Sequence, residues 1–142
     1  MSNREKPLDW SSEPERGYSV ARRADGGLHV TFHHLSPAVL RHWQAFAQQH
    51  LQGAERFNRN LYDLRAIEDI PPEAIHLAED INADPAARFV RVAVVVSSSA
   101  ARKALGGLAQ LSSGIEMEVF SDLAQAERWL DRPASRLLRD ED

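Results

Sequence analysis

Three acidic residues, Asp63, Glu68 and Asp69, are the first candidates for chemistry in this chain. Two carboxylates can divide general-acid and general-base work when their surroundings push their pKa values apart. These three fall around the end of a predicted strand, the edge at which open α/β sheets hold ligands. A structural role competes with that reading: Asp69 stands where it can cap the next helix, and Asp63 can pair with Arg65. No third group at a recognisable spacing turns the acids into a catalytic set, and an enzyme is not expected.

Ser97, Ser98 and Ser99 precede a helical pattern, with Arg102 and Lys103 one turn further on. Free N–H groups at a helix start attract anions, so Ser97, Ser98, Ser99 and Arg102 form a candidate anion site, with plain helix capping as the alternative. Neither a nucleophile-elbow nor a phosphate-loop pattern is present. The six histidines do not fall at ligand spacing. His29 and His33 share a strand face but stand ~13 Å apart at strand rise, too far for shared ligation. His42 and His50 are two helical turns apart with Phe46 between them. No metal and no cofactor are expected.

Composition narrows the field. The 142 residues, 43% hydrophobic and 27% charged, are ordinary for a soluble globular protein. Cysteine is absent, which removes thiolate nucleophiles, disulfides and sulfur metal sites together. A formal net charge of −4 offers no electrostatic footprint for nucleic acid. No apolar run approaches the ~20 residues of a membrane-spanning helix. The first residues lack a signal-peptide core, so a cytoplasmic location is expected.

The elements that must position these groups follow from hydrophobic period. Residues 1–16 mix charge, Ser and Pro and read as a flexible arm, in which Trp10 is the one large aromatic. Residues 17–131 read as a single α/β domain, and 132–142 as a polar tail. Tyr18–Arg23 alternates loosely, and Asp25-Gly26-Gly27 suits a tight hairpin turn. Leu28, Val30 and Phe32 then form one strand face. Ser36-Pro37 opens a helix bearing Val39, Trp43 and Phe46. A short strand at Asn60–Leu64 precedes Ile70-Pro71-Pro72, and a helix starts near Glu73 with Ile75, Ala78 and Ile81 inward. Phe89–Val96 is β-branched and apolar on both faces, the mark of a central parallel strand.

Beyond it, Ala101, Leu105, Leu108 and Leu111 share a helix face. Gly106-Gly107 reads either as that helix's C-cap or as a hinge that lets the leucines move away from Ile75, Leu77 and Ile81. Ile115, Met117 and Val119 alternate with Glu116 and Glu118 as an edge strand. Asp122 and Gln125 then stand at capping-box spacing ahead of a helix with Leu123, Ala126 and Leu130 inward. The predicted order is ββαβαβαβα: a hairpin followed by right-handed crossovers, about five strands in a mixed, mostly parallel sheet with about four helices.

Taken with the hairpin, the strand end Tyr62-Asp63-Leu64, the strand Arg91-Val92-Ala93-Val94-Val95 and the closing stretch from Val119 to Leu130 resemble the SpoIIAA-like proteins, bacterial relatives of the STAS domain. The resemblance spans about residues 17–131. It implies a non-enzymatic protein, with binding of hydrophobic, lipid-like ligands and peripheral membrane association among the family's suggested roles. STAS antagonists act through a serine phosphorylated just after the strand that ends here near Leu64. In this chain that segment, Ala66 to Glu73, holds neither Ser nor Thr, so the phospho-switch does not carry over.

Two functions follow as expectations. The first is a binding module for a small hydrophobic or lipid-like ligand in a slot walled by Ile75, Leu77, Ile81, Leu105, Leu108 and Leu111. The alternative is a STAS-like interaction module whose surface is the loop of Glu68, Asp69 and Ile70 with Glu73. A homodimer fits the charged edge strand. Arg22-Arg23, Arg56 with Arg59, and Arg88 with Arg91 read as scattered positive positions, short of the cluster that binds anionic lipid.

Overall fold

The computed structural model describes residues 17–23, 27–52, 58–84, 90–111 and 115–132. The expected arm with Trp10, the hairpin turn at Asp25-Gly26, Arg56, Arg88, Phe89 and the tail from Pro133 lie outside these residues.

Five strands and four helices alternate as predicted: β1 (Tyr18–Arg22), β2 (Leu28–Phe32), α1 (Pro37–Gln52), β3 (Asn58–Leu64), α2 (Pro72–Asn82), β4 (Val90–Val96), α3 (Ser99–Leu111), β5 (Glu116–Phe120) and α4 (Leu123–Leu130). The strands lie in the sheet in the order of the chain, β1-β2-β3-β4-β5. β1 and β2 pair antiparallel, with Val20 opposite Val30. Every later pairing is parallel, so Val30, Tyr62, Val94 and Val119 lie in one row across the sheet.

Strand period decides which helix goes where. Tyr18, Val20, Val30, Phe32, Val92 and Val94 point to one face, where they meet Val39, Trp43 and Phe46 of α1 and Leu105 and Leu108 of α3 in the main core. Leu61, Ala93 and Val95 point to the other face and meet Ala126 and Leu130 of α4. β4 is therefore buried along its whole length, as its unbroken apolar run requires. α4 starts on a cap, the Asp122 carboxylate accepting from the Gln125 backbone N–H at 3.2 Å. α1 starts similarly, with Ser36 Oγ accepting from Val39 N–H at 3.4 Å.

Gly17 enters β1 at φ +91°, the left-handed region that favours glycine. A Cβ there would collide with Val39 and His34, and the Gly17 carbonyl accepts from His33 N–H at 2.8 Å. The residue thus seats the first strand against α1 where no side chain fits.

Two local expectations need correction. Asp69 does not cap α2: the N-cap is Pro71, which has no side-chain acceptor, and Pro72 occupies the first helical turn. Proline is tolerated there because its missing N–H would have been unpaired anyway. Gly106 and Gly107 are not a C-cap either. Both lie inside α3, and a Cβ at either would meet nothing within 4 Å. Neither glycine is required by packing, so both carry the entropic cost of glycine in a helix without a steric reason. Gly106→Ala and Gly107→Ala should each raise the unfolding free energy by about 1 kcal/mol. Urea denaturation measures this, and a destabilised alanine variant would show that the helix is under a constraint not visible in its packing.

Candidate functional site

Asp63 stands one residue before the end of β3 with its side chain buried, and Arg65 bends back over it. Arg65 Nε and Nη2 donate to the two carboxylate oxygens at 2.9 and 2.7 Å, and Arg65 N–H adds a third bond at 3.1 Å. The hydrogen bonds from Arg65 hold the Asp63 carboxyl below its ordinary range, against the opposing effect of burial. A two-point pair of this kind fixes geometry and consumes the acid's acceptor sites. Asp63 therefore anchors a turn, and Glu68 and Asp69 stand exposed beyond it. The three carboxylates do not converge.

The loop after β3 is held firmly for so short a segment. Ile67 is buried in the main core, its N–H bonded to the Leu64 carbonyl at 3.0 Å. Ser98 Oγ donates to the Glu68 carbonyl at 2.6 Å and accepts from Ala101 N–H at 3.0 Å. Ser98 is thus both the cap of α3 and a tie to the neighbouring loop. Arg102 is bonded to Ser121 Oγ. Of the four candidate anion ligands, Ser98 and Arg102 are already engaged with protein partners, and Ser97 and Ser99 are exposed. The geometry does not assemble them around a common point. Among the described residues no group of three or more His, Asp or Glu side chains could hold a metal, and no helix is long and apolar enough to cross a membrane.

Beneath α2 the arrangement differs. None of the eleven residues of α2 is fully buried, and the helix packs on α1 and α3. A cavity of about 100 Å³ lies between it and the sheet. Ile75 and Ile81 line it from α2, and Leu105 and Leu108 from α3. Leu77 is not in its wall. One residue before Ala78, it lies about 100° around the helix from that cavity-facing position, where it packs against the rim of the core. The side chain of Leu111 lies outside the described residues. Ile70, expected in the surface loop, turns inward and lines the cavity with Ala74 and Ala78.

Several wall residues were missed by periodicity because they come from β-strands and from α1. Tyr62, Asn60 and Trp43 are the polar ones that matter. Asn60 is buried and accepts from Leu28 N–H at 3.0 Å, which closes the start of β2. Trp43 stands edge-on to Tyr62, ring centroids 5.9 Å apart. Burial pushes the Tyr62 phenol up to about 12, with the indole of Trp43 pulling the other way. The buried indole N–H makes no hydrogen bond of good geometry. An asparagine and a tyrosine on the inward positions of β3 were the available signal, since a strand face otherwise apolar holds polar groups for a reason.

Three of the arginines read as scattered come together. Arg23, Arg59 and Arg91 gather at the C-terminal end of α4. Arg91, buried, donates from Nε to Glu116 at 2.8 Å and from Nη1 to the Arg132 carbonyl at 2.6 Å, with its guanidinium 5.3 Å from the centre of the Trp129 ring. Arg23 donates to Glu127 at 2.6 Å, and Arg59 to the Arg132 carbonyl at 3.3 Å. Cations at a helix C-terminus meet its free carbonyls and the negative end of its dipole. These three side chains tie β3, β4 and the end of the first hairpin strand to the end of α4.

Against known families, the SpoIIAA-like model matches residues 29–131, well over half of the chain. No curated protein and no solved structure matches it.

The Asp63–Arg65 pair predicts a pH signature. A carboxyl with a lowered folded pKa contributes stability that is present above its unfolded value, ~3.9, and is lost as pH falls through the folded value. Urea midpoints of the wild type and of Asp63→Asn should therefore converge as pH drops from 4 toward 2. A gap that stays constant over that range would contradict the role given to Arg65.

Proposed function

Because the chain belongs to the SpoIIAA-like family, we propose that it is a non-enzymatic, STAS-like interaction module that works without the phosphorylatable serine. The reading includes a cytoplasmic setting, which a cysteine-free chain permits. The observation that carries it is the loop after β3. Arg65, Ala66, Glu68 and Asp69 are exposed, yet the backbone beneath them is fixed by Ile67, by the bond from Ser98 and by two successive prolines. A loop rigid before binding loses little entropy on docking. It lies at the segment where STAS regulators carry their switch. Glu68, Asp69 and Glu73 give it an acidic face suited to a basic partner surface, which favours encounter rate and orientation.

Cross-linking mass spectrometry in the source cell should map a partner's contacts onto residues 65–76. The double charge reversal Glu68→Lys/Asp69→Lys should weaken that partner at least tenfold while leaving the thermal midpoint unchanged, since both side chains are exposed. Contacts that map to another face, or a partner unaffected by the reversal, would remove the loop from the proposal.

A second reading rests on the cavity under α2, whose wall is built largely of Ile, Leu, Val and aromatic side chains. Such a space is the default place for an apolar small molecule or lipid-like ligand. Leu108→Trp should fill it and abolish uptake in native mass spectrometry while the fold survives; a folded variant with undiminished uptake would sink the assignment.

A further inference from the structure

β5 is the last strand of the sheet, and among the described residues no strand pairs with its outer side. Helices lie against both of its faces, α3 on one and α4 on the other, so what stays open is the edge. Met117 and Val119 turn to the α3 side and pack on the main core, while Phe120 packs with the cluster under α4. No residue of the strand is fully buried. A strand added beside it, ~4.8 Å away, would complete the cover of these apolar side chains.

The charges of the strand are matched unequally. Glu116, Glu118 and Phe120 share the α4 side by alternation. Glu116 accepts from Arg91 Nε at 2.8 Å, so its charge is balanced from within the sheet. Glu118 stands opposite Ala93 of β4, a fully buried methyl group that can offer it nothing. Arg102, near the far end of the strand, is bonded to Ser121 Oγ instead. Glu118 is exposed, and among the described residues it has no ion-pair partner. A cross-strand countercharge can therefore reach it from the outer side.

A second copy of the chain does not fit that edge. Antiparallel two-fold pairing of β5 with itself sets Glu118 opposite or diagonal to a glutamate of the copy, and facing like charges destabilise a sheet. Charge on an edge strand works against such self-pairing.

We propose that the β5 edge is a strand-addition site for an extended segment of another protein, in which one Lys or Arg stands between two β-branched apolar residues. The cation faces Glu118 on the α4 side, and the two apolar side chains extend the Met117–Val119 surface on the α3 side. Main-chain hydrogen bonds give such a site its affinity, and the alternating side chains give it specificity. The site is separate from the loop after β3, two strands away in the sheet, and does not depend on that loop's role.

The test uses the full chain and three synthetic peptides, followed by NMR and amide hydrogen exchange. The first reads Ser-Thr-Val-Lys-Val-Thr-Ser with both ends blocked, and the second has Glu in place of Lys. The third is the first with the backbone nitrogens of its central three residues methylated. The lysine peptide should bind saturably, shift the amides of residues 115–121 and slow their exchange. The glutamate peptide should bind about fivefold more weakly, the scale of exchanging an opposite-charge cross-strand pair for a like-charge one. Glu118→Lys, at an exposed position where the thermal midpoint should hold, should reverse that preference. The methylated peptide should not bind.

Absence of saturable binding by the lysine peptide would overturn the assignment. So would equal affinity for the two charged peptides, or a preference unchanged in Glu118→Lys. Binding of the methylated peptide would show adsorption through side chains and overturn strand addition. A dimeric free protein that already protects residues 115–121 would give the edge to a second copy and overturn the choice of occupant.

Discussion

The complete burial of β4 is the constraint from which the architecture follows. A strand apolar on both faces cannot face water on either, so helices must cover both. Right-handed crossovers between strands laid down in sequence order deliver α1, α2 and α3 to the same face. Only the helix after the last strand is left to cover the other. α4 has eight residues, too short to form unaided, and it is held from both ends: Asp122 caps the start, and three arginines from β3, β4 and the end of the first hairpin strand meet the finish. Arg91 is a charge buried in the sheet, which is admissible because Glu116, three backbone carbonyls and the face of Trp129 surround it.

The two faces are packed to different standards. Leu61, Ala93, Val95, Ala126 and Leu130 are fully or almost fully buried on the α4 side. On the other side α1 and α3 pack closely while α2 spans a gap. Close packing is the norm in protein interiors, and a void forfeits contacts along its whole lining. The void here lies under α2, a helix with no fully buried residue, beside the loop that Ile67 and Ser98 fix.

Much of this was legible in the residues. Alternation in Leu28–Phe32, the unbroken valine run of β4, Ser36-Pro37 and the Asp122–Gln125 spacing each report a local rule that the tertiary structure leaves intact. What escaped depends on contacts between elements distant in the chain. Arg91 looks like a surface charge until its strand is known to be covered on both sides, although an arginine inside a valine run is itself a signal of a pairing partner. Asp69 has the right chemistry for a cap but stands two residues too early, because the prolines set where α2 begins. Ile75, Ile81, Leu105 and Leu108 were placed on facing helices by helical period. The contribution of β3 and α1 to the same wall required the sheet register, and Leu77 fell away because a single helical step rotates a side chain out of reach.

Strand order equal to chain order has a consequence for assembly. Each β-strand pairs with the one synthesised immediately before it, so the sheet can grow by addition at one edge as the chain emerges, with no strand waiting for a distant neighbour. Each parallel crossover still joins residues far apart in the chain, Val30 with Tyr62 and Tyr62 with Val94, but pairing in chain order keeps contact order below that of a sheet whose neighbours are more distant. Contacts of longer range include the clasp of Arg23 on Glu127 and Asp131, 104 and 108 residues away. It joins the first hairpin to the last helix and can close only after every strand is in place, which makes it the latch of the assembled molecule.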